Sequence, residues 1–267
     1  MSAQAGLRHL LYRTAQRAYG AALRTRYRKA GMPWRVHDRV LRVDPSVRHL
    51  VPHEPETALY EFVRAKLTPG AHVLDVGSFL GIYALLEAGL AGPAGRVVTV
   101  EPTAWSAGIA RRHLRYNAAG AAPVILVEAA AGAAPGEATL HEYDQPYVNA
   151  LTQAPDGVGT PRLCRVPVRT LDEICAAHGL APTFIRLDVQ GAEWQALEGA
   201  RQVIAAAGER LTIVAEMHPQ CWPAFGIDAD GARATIASLG LHAAPLEPGA
   251  GLFDRDAHIV LTPLARA

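Results

Sequence analysis

Val73-Leu74-Asp75-Val76-Gly77-Ser78-Phe79-Leu80-Gly81 reads as a short buried strand, a glycine turn and the start of a helix. The run His72–Val76 is short and apolar, and Gly77 closes it because a residue without a side chain lets the backbone bend sharply. Gly81 then allows the helix to pack close to the strand. The spacing is GxxxG and differs from the GxGxxG of a dinucleotide site, where a free helix N-terminus holds a pyrophosphate. Asp75, just before the turn, would repel a pyrophosphate and suits a cationic ligand without phosphate. Glu101 lies 24 residues beyond Gly77, at the end of the next apolar run, where two oxygens can accept hydrogen bonds from a ribose diol.

Outward from this unit the chain alternates strands and helices. Glu56–Leu67 has helical spacing and stops at Pro69-Gly70, and a helix after Gly81 runs to about Gly89. The spacing then predicts strand Arg96–Val100, a helix from about Trp105 to Asn117, and strand Pro123–Glu128. Residues 132–165, rich in Gly, Pro and polar side chains, predict a strand pair with a loop. Helix Leu171–His178, strand Phe184–Leu187, helix Glu193–Ala206, strand Leu211–Ala215, helix Ala232–Leu239 and strand Ala257–Leu261 complete the pattern. Short strands separated by such helices predict an α/β fold with a Rossmann-like, doubly wound, mostly parallel sheet. Val36–Val43 predicts a short strand that introduces it.

The 267 residues carry 26 basic and 25 acidic side chains, half are apolar, and mean hydropathy is +0.07. This composition excludes a disordered chain, and no stretch approaches the ~18 consecutive apolar residues of a spanning helix. Eight of the basic residues and none of the acidic ones fall in residues 1–37, leaving 18 against 25, a net of −7, for the rest. The domain organisation expected is a basic helical extension over 1–50 and one main domain over 51–267. Residues 7–29 predict a helix with Leu7, Leu11, Ala15, Ala18 and Ala22 on one face and Arg13, Arg17, Arg24 and Arg28 opposite. That arm suits an anionic surface, membrane or nucleic acid, or packs its Leu/Ala face on the body; the small side chains favour packing. A signal peptide is excluded by the missing apolar segment. Cys164, Cys175 and Cys221 are odd in number and widely spaced, which argues against a disulfide framework or zinc site and for a reducing, cytoplasmic compartment. Arginine outnumbers lysine throughout, and abundant Ala, Gly and Pro suggest a bacterial gene of high GC content.

In doubly wound sheets the ligand sits beyond the carboxyl ends of the strands, where strand order reverses. Five consecutive strands deliver acids there: Asp75, Glu101, Glu128, Asp188 and Glu216, the last followed by Met217 and His218. A single acid would serve as a helix cap, whereas five in register point to a site.

Asp75-Val76-Gly77-Ser78-Phe79-Leu80-Gly81, Glu101-Pro102, Val168-Arg169-Thr170-Leu171-Asp172, Ile185-Arg186-Leu187-Asp188-Val189-Gln190-Gly191-Ala192-Glu193 and Glu216-Met217-His218-Pro219 resemble, in order and spacing, the motifs of FkbM-type methyltransferases. The resemblance spans about residues 56–220 and implies a class I methyltransferase sheet. It also implies an S-adenosylmethionine cofactor and O-methylation of hydroxyls on natural products and glycans. Two positions depart from the family pattern: Ser78-Phe79-Leu80 stands where Ala-Asn-Ile is usual, and Gln190 replaces a common Glu.

On this reading Asp75, Gly77, Ser78, Gly81, Glu101, Pro102, Glu128 and Asp188 are expected to hold the cofactor. His218 is the expected general base, its free pKa lying near neutrality, with Asp188 and Glu193 as catalytic partners. Asn149, Gln190 and Glu216 are expected at the acceptor, and the 142–160 loop is long and polar enough for a lid. Trp105 and Tyr143 are candidates for the adenine pocket, while Arg111, Arg112, His113 and Arg115 form a solvated helix face or a phosphate contact. Asp188, Glu216 and His218 could suit Mg²⁺ or Mn²⁺, but no tight ligand spacing demands it and Gln190 removes a charge, so no metal is expected. The expected partners are a hydroxyl-bearing small molecule or glycan, no nucleic acid, and at most a weak membrane-surface or protein contact through the arm. Two alternatives stand beside this reading. One is a nicotinamide-dependent oxidoreductase, opposed by GxxxG and Asp75; the other is a non-catalytic docking protein, left open by Phe79 and Gln190.

Overall fold

A computed structural model describes residues 14–15, 18–153 and 159–264. Its centre is a seven-stranded sheet built from β3 (His72–Val76), β4 (Arg96–Val100), β5 (Val124–Val127), β9 (Phe184–Leu187), β10 (Thr212–Met217), β11 (Leu241–Pro245) and β12 (Ala257–Pro263). The spatial order is β11-β12-β10-β9-β3-β4-β5. β10, β9, β3, β4 and β5 run parallel, and β12 is antiparallel to both its neighbours. Strand order reverses between β3 and β9, which opens the crevice where such sheets bind ligands. β11 is an element the sequence pattern did not predict.

Strand alternation divides the core between the two faces. Leu74, Val76, Val98, Val100, Ile185, Leu187, Ile213 and Ala215 point to one side and pack under α5 (Leu171–His178), α6 (Glu193–Glu198), α7 (Arg201–Ala207) and α8 (Ala229–Ser238). Val73, Val97, Phe184 and Val214 point to the other, under α2 (Thr57–Lys66), α3 (Ile82–Ala91) and α4 (Ala104–Tyr116). The same parity puts Asp75, Thr99, Arg186, Glu216 and His258 on the α2/α3 face near the carboxyl ends, so a polar layer caps that half of the core.

The helix expected over Glu193–Ala206 is two helices. A Cβ on Gly199 would lie 2.1 Å from the Gly132 carbonyl oxygen, so the chain breaks there to let the neighbouring loop approach. Asp172 then caps α7, accepting from the amides of Gln202 and Val203 (3.0 and 2.9 Å), while Thr170 and Glu173 form a capping box on α5. The Thr170-Leu171-Asp172 motif is therefore structural. The 132–165 region contributes β7 (Gly136–Glu142), which pairs antiparallel with β8 (Arg162–Arg169); β8 also pairs with β6 (Ala130–Ala131) to give a separate three-stranded sheet.

The segment read as one strand over Val36–Val43 is a hairpin, β1 (Met32–Val36) and β2 (Arg39–Val43), turning at His37 with φ +52°. Its Val36 and Val43 are buried in the α2–α4 core, and His113 pins the segment that follows: Nε2 accepts from the Asp44 amide and Nδ1 donates to Leu80 O, both at 2.9 Å. Burial lowers the His113 pKa, in keeping with a neutral ring. In the arm, α1 (residues 18–27) seats Leu23 and Tyr27 on the body while Ala18 and Ala22 are exposed, because the larger side chains bury more apolar area. Leu7, Leu11, Arg13 and Arg17 lie outside the described residues. All three cysteines are free, and no helix among the described residues is long and apolar enough to cross a membrane.

Candidate functional site

The β3–α3 turn is locked against β9 and β4. The Gly77 and Ser78 amides donate to Val100 O at 2.9 and 3.1 Å, and Gly77 has φ +86°. A Cβ on Gly77 would lie 1.6 Å from Asp188 O, so only glycine lets the two strand ends meet. Phe79, also with positive φ (+49°), aims its amide at Glu101 Oε2 (2.8 Å), and Glu101 Oε1 accepts from the Thr103 amide (2.8 Å). Each Glu101 oxygen thus holds one backbone donor, the Thr103 side chain adds a third, and the carboxylate keeps acceptor capacity for a ligand. Burial pushes this carboxyl up to about 7.

A cavity of about 130 Å³ opens over this turn. Phe79, Glu101 and Pro102 form one side, Ala129–Ala131, Leu140 and Asn149 the other, and Asp188 and Gln190 an edge. Its lining among the described residues includes two carboxylates and no basic side chain.

Beneath the cavity Arg186 is buried between Asp75 (Nη1–Oδ1 3.1 Å) and Asp188 (Nη2–Oδ2 2.9 Å), also donating to Gly77 O at 3.3 Å. Its guanidinium lies 4.3 Å from the centroid of the Tyr83 ring. Asp75 takes a second hydrogen bond from Thr99 Oγ1 (2.8 Å). Glu87 is fully buried nearby with no hydrogen-bond partner on either oxygen, and burial and the neighbouring Asp75 push its pKa well up.

At the edge, Glu193 is fully buried and accepts three hydrogen bonds: from the Gly191 amide (2.7 Å), His218 Nδ1 (2.8 Å) and Trp222 Nε1 (3.0 Å). His218 Nε2 faces Gln190 Nε2 at 3.0 Å, and the same Gln190 amide donates to Asp188 Oδ1 (3.0 Å). Gln190 reaches both from a left-handed backbone, φ +52°. Burial opposes protonation of His218, but Glu193, Asp188 and Glu216 outweigh it and raise its pKa to about 9. Glu216 Oε1 stands 3.9 Å from His218 Nε2, and burial with the Asp188 charge raises Glu216 to about 7. Two donor triads could hold a divalent ion, Asp188/Glu216/His218 and Glu56/Glu216/His258, with ligand atoms within 4.8 Å of one another. In the first, the Gln190 amide already faces two of the three donors.

The structure gathers Gly77, Glu101, Pro102, Asn149, Asp188 and Gln190 at the cavity, with His218 and Glu193 behind its edge. Other expected contacts lie elsewhere. Asp75 is a floor residue, turned by strand alternation onto Arg186 and away from the cavity lining. Glu128 is absent from that lining and pairs with Arg111. Gly81 packs against Ala110, and Ser78 Oγ is buried without a partner. Asn149 spends its Oδ1 on the Tyr143 amide (2.8 Å), which shapes the wall, and residues 154–158 of the expected lid lie outside the described residues. Trp105 is exposed and Tyr143 is buried outside the lining. Of the Arg111–Arg115 cluster, Arg111 pairs with Glu128, Arg112 pairs with Asp44 at 2.7 Å, His113 is internal and Arg115 is exposed. Sequence reasoning passed over Arg186, Glu87, Glu56 and His258; an arginine inside the apolar run Phe184–Leu187 was the one available signal.

The strand order, with one antiparallel strand between β10 and β11, and the acid-lined cavity at the reversal point define a Rossmann-like sheet of the class I methyltransferase type. The chain matches the Methyltransferase FkbM domain over residues 70–240, and it belongs to that family. The nicotinamide alternative gives way to this membership. No curated protein matches significantly. Among solved structures, precorrin-6y C5,15-methyltransferase from Geobacter metallireducens is 15% identical with TM-score 0.44, covering 78% of this chain and 89% of that one. An rRNA methylase from Streptococcus thermophilus is 9% identical with TM-score 0.46 (79% and 98% covered). An O-methyltransferase from Bacillus cereus is 15% identical with TM-score 0.42 (81% and 84% covered).

Proposed function

We propose that this methyltransferase uses S-adenosylmethionine to O-methylate a hydroxyl of a sugar, glycan or natural product. The observation that carries the reading is His218, fixed through Nδ1 by buried Glu193 and holding Nε2 just behind the cavity edge, against the Gln190 amide that lines it. The cavity fits the cofactor by its donor set: Glu101 offers paired acceptors for a ribose diol, and carboxylates without a basic side chain favour a cation over a phosphate. When bound, the cofactor supplies an electrophilic methyl group on sulfonium. The chain's own residues do the rest. Glu101 and the Gly77 turn orient, Phe79, Leu140 and the alanine wall exclude water, and neutral His218 Nε2 accepts the proton as the acceptor's O–H breaks and its oxygen bonds to carbon. Cytoplasmic placement, with only a weak surface contact through the exposed Arg24, Arg26 and Arg28, belongs to the same proposal.

Isothermal titration tests it. S-adenosylmethionine and its demethylated product are expected to bind in the micromolar range, about −8 kcal/mol, and Glu101→Ala to weaken both. No heat from either ligand refutes the reading. Normal binding with no methylated product across a panel of hydroxyl compounds favours a non-catalytic docking protein.

A further inference from the structure

We infer that the methyl acceptor enters a second cleft, on the far side of Glu216, and that this cleft selects a polyhydroxylated molecule carrying a protonated amine over an anionic one. The inference rests on the methyltransferase reading above.

The cleft, about 390 Å³, lies between the end of β10, the loop joining β11 to β12, and the start of β12. That volume falls within the range of small-molecule pockets, roughly 300–1,000 Å³. Glu216, Glu247, Asp256, Arg255 and His258 supply its polar groups. Glu216 and His258 are paired residues of adjacent antiparallel strands, so they stand side by side at its inner end.

Only a thin partition separates the two cavities. Glu216 Oε1 is 3.9 Å from His218 Nε2, and His218 Nε2 is 3.0 Å from Gln190, which lines the first cavity. A hydroxyl entering past Glu216 and a methyl donor seated by Glu101 and Asp188 therefore converge on one imidazole nitrogen. The step balances there: the acceptor's O–H breaks and its proton goes to His218 Nε2, while an O–CH₃ bond forms as the donor's S–CH₃ bond breaks, turning sulfonium into thioether.

The lining chemistry sets the class of acceptor. Glu247 and Asp256 outnumber Arg255, and Glu216, raised by burial to about 7, adds a third acid beside His258, so the cleft is acidic. Carboxylates accept hydrogen bonds from hydroxyls and attract ammonium, and they repel phosphate or carboxylate on an incoming molecule. Asp256 and Glu216 also have polar neighbours. Asp256 Oδ2 accepts from Gln220 Nε2 at 3.0 Å, and His258 Nε2 sits 3.8 Å from Glu216 and 3.1 Å from Glu56.

The test uses full-length protein saturated with S-adenosylhomocysteine and three probes differing in charge: glucosamine, glucose and glucose 6-phosphate. Binding is read by saturation-transfer NMR at about pH 6.5, where the amine is protonated. Glucosamine is expected to bind best, at least about tenfold tighter than glucose 6-phosphate, and E247Q/D256N to bring all three within about threefold. The inference is overturned if glucose 6-phosphate matches glucosamine, if the double substitution leaves the ranking unchanged, or if glucosamine fails to bind protein that holds the cofactor product. Failure of the cofactor product itself to bind overturns the methyltransferase reading, and this inference with it.

Discussion

Replacing Glu193 by glutamine should detach the titration of His218 from the fold. In the wild type His218 is raised from 6.5 to about 9, with Glu193 the strongest of the raising influences. A shift of that size corresponds to about 3 kcal/mol between its protonation states. The folded form binds the proton more tightly than the unfolded one, so this stabilisation is fully present below pH 6.5 and is lost as pH rises through 9. Between pH 7 and 9 the wild type should therefore lose about 2 kcal/mol from this residue, and E193Q less than about 1. Glu216, whose carboxyl responds to the His218 charge 3.9 Å away, shifts with it, so the stability difference reports the coupled pair and the His218 midpoint is read separately. Glutamine has one acceptor oxygen for the Gly191 and His218 donors, leaving an amide NH₂ against Trp222 Nε1–H; that unpaired buried donor costs about 1–3 kcal/mol at every pH. Urea unfolding at several pH values gives the stability difference, and NMR of ¹³C-labelled imidazoles gives the His218 midpoint directly. An E193Q midpoint within about half a unit of wild type would refute the pairing as the source of the shift.

Two further outcomes follow from the same geometry. Gly77→Ala puts a methyl 1.6 Å from Asp188 O at φ +86°, which forces β3 and β9 apart and breaks the Asp188 amide bond to Val76 O (2.9 Å); a loss of about 3–5 kcal/mol, or roughly 10 °C in Tm by thermal unfolding, is expected, and a variant within about 2 °C of wild type would show that the turn is not closed this way. Because Glu101 sits at about 7 and a ribose diol donates to its ionised form, affinity for S-adenosylhomocysteine should weaken about tenfold per pH unit below 7 and level off above it; E101Q should bind weakly without that slope, and a flat wild-type profile would remove Glu101 from the diol.

The sheet was legible because its strands are short apolar runs cut by Gly and Pro, and the βα turn because Gly77 and Gly81 announce it. β11 escaped because Leu241-His242-Ala243-Ala244-Pro245 has neither β-branched residues nor alternation, and it becomes a strand only by pairing with β12. The break at Gly199 depends on a contact with Gly132, which no local pattern encodes. At the site, the sequence shows that five acids end five strands but not which way each points. Strand alternation decides that, sending Asp75 to Arg186 while the residues beyond the strand ends reach the cavity. Glu56 and His258 join Glu216 from opposite ends of the chain, so only the assembled fold brings them together.

That alternation also alters what the acidic edge means. Five carboxylates at one sheet edge suggest a strongly negative field, yet Arg186 is shared by Asp75 and Asp188, Arg111 pairs with Glu128, and burial raises Glu101 and Glu216 to about 7. Part of the edge's formal charge is therefore compensated. A positive charge placed beside Asp188 lowers the pKa of every group around it, since opposite charge favours the ionised carboxylate and like charge disfavours imidazolium. That charge would counter the influences that raise His218 to about 9 and favour the neutral ring that the proposed proton acceptance needs. If His218 is the base proposed above, the acids would act less through their summed charge than by coupling the donor's arrival to the state of that imidazole.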